Sequence, residues 1–427
     1  MLRFSHITKR INRIKDTYAH RTKLLLFVLV FALAGVLTLV LTWASGPRAS
    51  VEPEQGAVSL PAQVVTDSNA SGGSAVKFGT PSSCPTPAPT TAAAYEQLIR
   101  GGIGGKKYTA DDGQSARLPN GKVLWVFGDT FVRPEAAPSG GVFINNNFIL
   151  TDKGCAQAVP GPNDAQGQPT STVKPTGAFD KPGVTDYYWP NIPFMDGNTM
   201  YMFMGHMYND ASGFHMIGQD LAQFDVSGPV PVLTGLHQTP GSVSDGETAP
   251  AWGSSVLRTS DFTYIYGTVE KHEAWVWGKY YYVARVPNGQ VANPAAWQYW
   301  GGASWVTNQA AAAVIIPGTV GVGSTATVYQ RTDGSYVLVS KKFDIIGGDI
   351  VAWTASSPAG PWTESSVLLT IPNVDTAAGE HTYFGLAHPE VPLASGKMLV
   401  SWSLNSSDPG FFGSPRYGLY FGEAVQP

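Results

Sequence analysis

The chain has 427 residues, a net charge of −4 and only 14% charged side chains, with 48 glycines, 32 prolines, 12 tryptophans and 18 tyrosines. This composition excludes a helical bundle or a disordered chain and describes a loop-rich β protein with an aromatic surface. Residues 1–23 hold seven Lys/Arg against the single acid Asp16, which leaves 20 basic and 30 acidic side chains beyond them. So acidic a body is a poor phosphate binder, which argues against nucleic acid as a partner.

The basic tail, residues 1–23, gives way to "LLLFVLVFALAGVLTLVLTWA", residues 24–44, which carries no charge. At 1.5 Å per helical residue this run matches a hydrocarbon core of about 30 Å. The Lys/Arg excess ahead of it predicts a cytoplasmic N-terminus and a single-pass membrane anchor, with everything after it outside the cytoplasm. A cleaved signal peptide is the alternative, but its apolar region normally spans about 7–15 residues. Both readings export the body.

Residues 45–94 are rich in Pro, Ser, Thr and Ala, as in "GTPSSCPTPAPTTAAA". They read as a flexible tether without hydrophobic period. The only cysteines, Cys84 and Cys155, are candidates for one disulfide in an oxidising compartment, two free thiols being the alternative.

The domain is expected over residues 95–427, with no amphipathic helix. One unit recurs in it: strand, tight turn, apolar strand. The copies are "SARLPNGKVLWVFGDT", "YWPNIPFMDGNTMYMFMG", "PAWGSSVLRTSDFTYIYGT", "TATVYQRTDGSYVLVSKK" and "LAHPEVPLASGKMLVSWS". Each is a hairpin with turn chemistry at its tip. Repetition of one hairpin among other strand-like segments predicts an all-β fold, a five-bladed β-propeller with long loops. A two-sheet sandwich also alternates strands and turns but does not explain a repeated unit.

In such a fold the first strand of each hairpin lines a central channel. Antiparallel pairing brings "TADDGQS" beside "GDT", so Asp111 or Asp112 is expected near Asp129. The other hairpins are expected to bring Trp189, Trp252, His388 and Glu390 to the same mouth. Carboxyl pairs with aromatic faces are how a sugar site is built. Each residue also has a plain structural reading, Asp129 as a turn acceptor and the tryptophans as packing between blades. No metal-ligand spacing, phosphate loop or serine-nucleophile elbow is present. No cofactor is expected, a calcium ion in the channel being left open.

The blocks "DDGQSARLPNGKVLWVFGDTFV", "YYWPNIPFMDGNTMYMF", "AWGSSVLRTSDFTYIYGT", "YYYVARVPNGQVANPAAWQYWGG" and "FGLAHPEVPLASGKMLVSWS" occur in this order. Together they resemble a family of bacterial five-bladed propellers, the endo-D-arabinanases, which cut the D-arabinan of arabinogalactan and lipoarabinomannan. The resemblance spans residues 107–420 and is most specific at "FGDTF" and "AHPE". It implies two catalytic aspartates, Asp129 and Asp111, the latter standing four residues before Ser115. Asn146 falls on the family's asparagine, and Asn147 stands where the family usually has Ser. The implied activity is endo-hydrolysis of an envelope arabinan by a monomer. A non-catalytic glycan-binding propeller and a furanosidase acting on L-arabinan or fructan are the alternatives.

Overall fold

The computed structural model describes residues 62–66, 74–78, 84, 86–136, 141–176, 179, 181, 183–241 and 244–427. The basic tail and the expected anchor, residues 24–44, lie outside these; no helix among the described residues is long and apolar enough to cross a membrane. Two short strands, β1 (Ala62–Thr66) and β2 (Ser74–Phe78), pair antiparallel inside the segment expected as a tether.

All five expected hairpins form, and each opens one blade. Blade I contains β3 (Lys106–Arg117), β4 (Val123–Pro134), β5 (Val142–Ile144), β6 (Asn147–Asp152) and β7 (Cys155–Val159). Blade II contains β8 (Asp186–Asp196), β9 (Thr199–Asp210), β10 (Gly213–Asp225) and β11 (Val232–Gln238). Blade III contains β12 (Ala251–Arg258), β13 (Phe262–Val269), β14 (Tyr280–Pro287), β15 (Gln298–Trp300) and β16 (Trp305–Val306). Blade IV contains β17 (Thr327–Gln330), β18 (Tyr336–Lys341), β19 (Asp349–Ala355) and β20 (Thr363–Thr370). Blade V has three strands, β21 (Glu380–Pro392), β22 (Met398–Ser406) and β23 (Gly418–Ala424). Gly121, Gly197, Gly334 and Gly396 sit at four of the hairpin tips with positive φ, a conformation that costs glycine nothing.

Strand alternation sends successive side chains to opposite faces, so a strand inside a blade buries both faces against its two neighbours. That is why β4 reads as a continuous apolar run. Trp125 and Phe127 pack toward blade V, while Leu124 and Val126 pack toward blade II. Each seam between blades accordingly has its own hydrophobic cluster. The innermost strands β3, β8, β12, β17 and β21 neighbour one another in that order, and β21 returns to β3.

One helix corrects the expectation that the domain has no amphipathic helix. Helix α1 (Ala92–Arg100) begins within the stretch expected as tether, capped by Thr91, whose hydroxyl accepts from Ala94 N–H. Its buried face, Ala92, Tyr95 and Ile99, enters the blade V/I seam beside Trp125 and Phe421. Arg100 at its C-terminus donates to the carbonyls of Leu419, Tyr417 and Pro415. Helix α1 thus packs against β23, the outer strand of blade V, where that blade lacks a fourth strand. The segment ahead of it is pinned at the hairpin-tip end of the propeller. Gly154 N–H donates to Thr86 O, Ala394 N–H donates to Thr90 O, and Cys84 is disulfide-bonded to Cys155.

Candidate active site

The register between β3 and β4 breaks twice, between Ala110 and Asp112 and between Asp112 and Gln114. Asp112 and Gly113 both have positive φ there, 73° and 83°. A bulge of this kind re-aims a side chain, and here it turns Asp111 across the strand pair onto Gly128. A Cβ on Gly128 would stand 2.7 Å from Asp111 Oδ1, so the glycine of "GDT" is what leaves room for that carboxyl.

Asp111 is 8% exposed, and its Oδ2 accepts the Tyr383 hydroxyl at 2.8 Å. The Asp129 backbone N–H also donates to this carboxyl. The Tyr417 hydroxyl stands within reach of it and donates to the Asp129 carbonyl at 3.0 Å. Burial raises the Asp111 pKa to about 6, with these donors holding it back. Asp129 keeps partial exposure at the mouth. Its Oδ1 accepts from Trp189 Nε1 at 2.7 Å and from Asn145 Nδ2 at 3.2 Å, while Oδ2 has no partner among the described residues. Burial, and then the charge of Asp111, raise the Asp129 pKa to about 8.

Aromatic rings flank the pair on both sides. Trp189 contacts Tyr187 at 5.6 Å and the exposed Phe214 at 5.2 Å. On the opposite side Tyr417 contacts Phe412 at 4.4 Å, and Phe412 contacts Phe143 at 5.1 Å. At neutral pH the site holds one ionised carboxylate beside one neutral carboxylic acid, between ring faces suited to the apolar side of a sugar.

Of the Asp111–Asp112 doublet, Asp111 is therefore the one that meets Asp129. Asp112 turns away. Its N–H donates to Ser403 Oγ at 2.9 Å, and its Oδ2 accepts from Gln114 Nε2 at 3.1 Å. Burial and the neighbouring Asp111 push its pKa well above the carboxylate range.

Four expected substrate-binding residues lie elsewhere. Asn146 is fully buried: Nδ2 donates to the carbonyls of Val173 and Tyr188, and Oδ1 accepts from Val173 N–H. Its neighbour Asn145 is the one that reaches the site. Trp252 is fully buried in the blade II/III seam, 6.0 Å from Trp297 and 5.6 Å from Tyr299. His388 and Glu390 lie near the closed tip of their hairpin, not its open end. Ser115 Oγ donates to the Glu390 carboxylate and is 2.6 Å from His388 Nδ1. Because that hydroxyl has only one proton, Nδ1 carries the imidazole hydrogen and Nε2 accepts from Ser401 at 2.8 Å. Burial drives the His388 pKa down to about 3, so the ring stays neutral. This group latches blade V to blade I beside Trp125, 5.0 Å away.

Tyr383, Tyr417 and Asn145 were not legible as site residues. Tyr383 had one signal, its place at the true open end of the fifth hairpin, in "HTYFG". Among the described residues no three His, Cys, Asp or Glu side chains converge as a metal site.

Fold and site together define a five-bladed propeller with a carboxyl pair in its channel mouth. The chain belongs to the family described as "Domain of unknown function (DUF5005)", whose model matches residues 95–417. No curated protein matches the chain. Among solved structures, a putative hydrolase from Bacteroides ovatus shares the fold at 18% identity and a TM-score of 0.60, over 78% of this chain and 89% of that one. More distant are a GH43_1 enzyme from Xanthomonas citri (14% identity, TM-score 0.41, 74% of this chain and 88% of that one) and an α-L-arabinofuranosidase from Lactobacillus brevis (10%, 0.40, 74% and 90%).

Proposed function

We propose that the protein is an endo-acting glycoside hydrolase that cleaves α-D-arabinofuranosyl linkages in the D-arabinan of arabinogalactan and lipoarabinomannan. The observation that carries this reading is the split carboxyl pair. Asp129, held neutral, gives its proton to the leaving oxygen. Asp111, ionised and oriented by Tyr383, either takes a proton from the attacking water or attacks the anomeric carbon itself. Both routes pass through an oxocarbenium-like transition state, whose positive charge the Asp111 carboxylate stabilises. The resemblance of the "FGDTF" block to the endo-D-arabinanases supports the choice of substrate.

The same reading places the domain outside the cytoplasm as a monomer, anchored through residues 24–44. The charge asymmetry around that run and the Cys84–Cys155 disulfide support it. Cys84, Thr86 and Thr90 join the propeller at its hairpin-tip face, opposite the channel mouth.

The test is incubation of the full-length chain with purified arabinogalactan, followed by separation of the products. Release of arabino-oligosaccharides is expected. Binding without products would instead mark a glycan-binding propeller, and activity confined to L-arabinan or fructan would overturn the substrate.

A further inference from the structure

Blade II carries a second polar cluster at the same open end as Asp129. Trp189 reaches Asp129, but its chain neighbour Tyr188 projects toward blade I and donates to Asp220 Oδ2 at 2.5 Å. His206 pairs with Tyr188 across the strands and places Nε2 2.6 Å from Asp186 Oδ2. Its Nδ1 is 4.0 Å from Asp220 Oδ2, too long for a direct hydrogen bond. Phe179 stands 6.4 Å from the His206 ring and 5.5 Å from Tyr208, and Lys181 donates to the Tyr208 hydroxyl at 2.6 Å.

A purely structural seam contact would be closed and fully paired, as Asn146 is just beneath. This cluster is open: the side chains of His206, Asp186 and Asp220 are 23%, 17% and 22% exposed. Asp186 Oδ1 and Asp220 Oδ1 have no partner among the described residues. Two carboxylates repel an anion and are ill suited to an apolar group. Acceptor oxygens beside aromatic faces match the hydroxyls and the apolar face of a neutral sugar ring.

We propose that Asp186, His206 and Asp220, the last oriented by the buried Tyr188 hydroxyl and with Phe179 as a wall, form a sugar-binding subsite next to the Asp111–Asp129 pair. It holds a neighbouring unit of the glycan chain on the blade II side and sets the length of the products. The inference rests on the glycanase reading above and assigns that reading a specificity site.

The experiment uses the full-length chain and its Asp186→Asn, Asp220→Asn and His206→Gln variants, each checked by thermal melting. They are assayed on end-labelled D-arabino-oligosaccharides of increasing length. The expected result is a KM raised about tenfold on the longer oligosaccharides, with kcat changed less than threefold and a shifted product ladder. Wild-type KM and ladder in every folded variant would overturn the subsite. If the wild-type chain cleaves no arabinan, the catalytic reading fails, and calorimetric titration with the same oligosaccharides then decides the subsite separately. About tenfold weaker binding by the variants supports it; equal binding, or none by the wild type, overturns it.

Discussion

The backbone N–H of Asp129 donates to the carboxyl of Asp111, while the charge on Asp111 raises the pKa of the Asp129 side chain. One residue thus stabilises its neighbour as an anion and is kept neutral by it. Separated protonation states of this kind let one site supply both an acid and a base near neutral pH.

Replacing either aspartate with Asn is expected to lower kcat by about a thousandfold or more, since each carries a proton-transfer or nucleophilic role. The fold should persist, because neither change removes apolar packing. Asp129 has a folded pKa raised above its unfolded value, so its contribution to stability is fully present at low pH. That contribution is lost as pH rises through about 8. Asp129→Asn should therefore gain more in Tm over wild type at pH 8 than at pH 4, measured by circular dichroism melts.

The pH profile of kcat/KM should be a bell whose limbs fall near the pair's apparent pKa values, about 6 and about 8. The Tyr383 hydrogen bond lowers the Asp111 pKa, so Tyr383→Phe should move the acid limb to higher pH. The Trp189 hydrogen bond lowers the Asp129 pKa, so Trp189→Phe should move the alkaline limb to higher pH. Limbs that stay in place in both variants would remove these two residues from the site.

Gly128→Ala tests the bulge. The backbone there accepts an alanine, yet its Cβ would stand 2.7 Å from Asp111 Oδ1 and push the carboxyl aside. A displacement of this order should cost about a hundredfold in kcat/KM with little change in Tm.

His388→Ala separates latch from site. It leaves a cavity beside Trp125 and removes one of the two partners of Ser115 and the ring acceptor of Ser401, so a loss of about 2–4 kcal/mol is expected from denaturant melts. Activity per folded molecule should remain near wild type.

The Cys84–Cys155 bond closes a 71-residue separation, a restraint worth about 4 kcal/mol in the chain-entropy account. The double Cys→Ser variant should melt at a lower temperature while keeping its KM.

The sequence by itself determined the blades. Turn residues at fixed places between alternating apolar segments are local signals, and each of the five hairpins is legible from its own residues. It also singled out Asp129, because antiparallel pairing of the first hairpin sets "GDT" beside "TADDGQS". Which neighbouring side chains meet it was settled by tertiary structure. In the link between β5 and β6 the backbone turns Asn145 to the site and Asn146 beneath it, and in β3 a bulge separates Asp111 from Asp112. Tyr383 and Tyr417 reach the pair from 272 and 288 residues along the chain, because closing the ring brings blade V against blade I. The same closure buries His388 and Glu390 in the seam. No local pattern records that packing, since it exists only once the last blade meets the first.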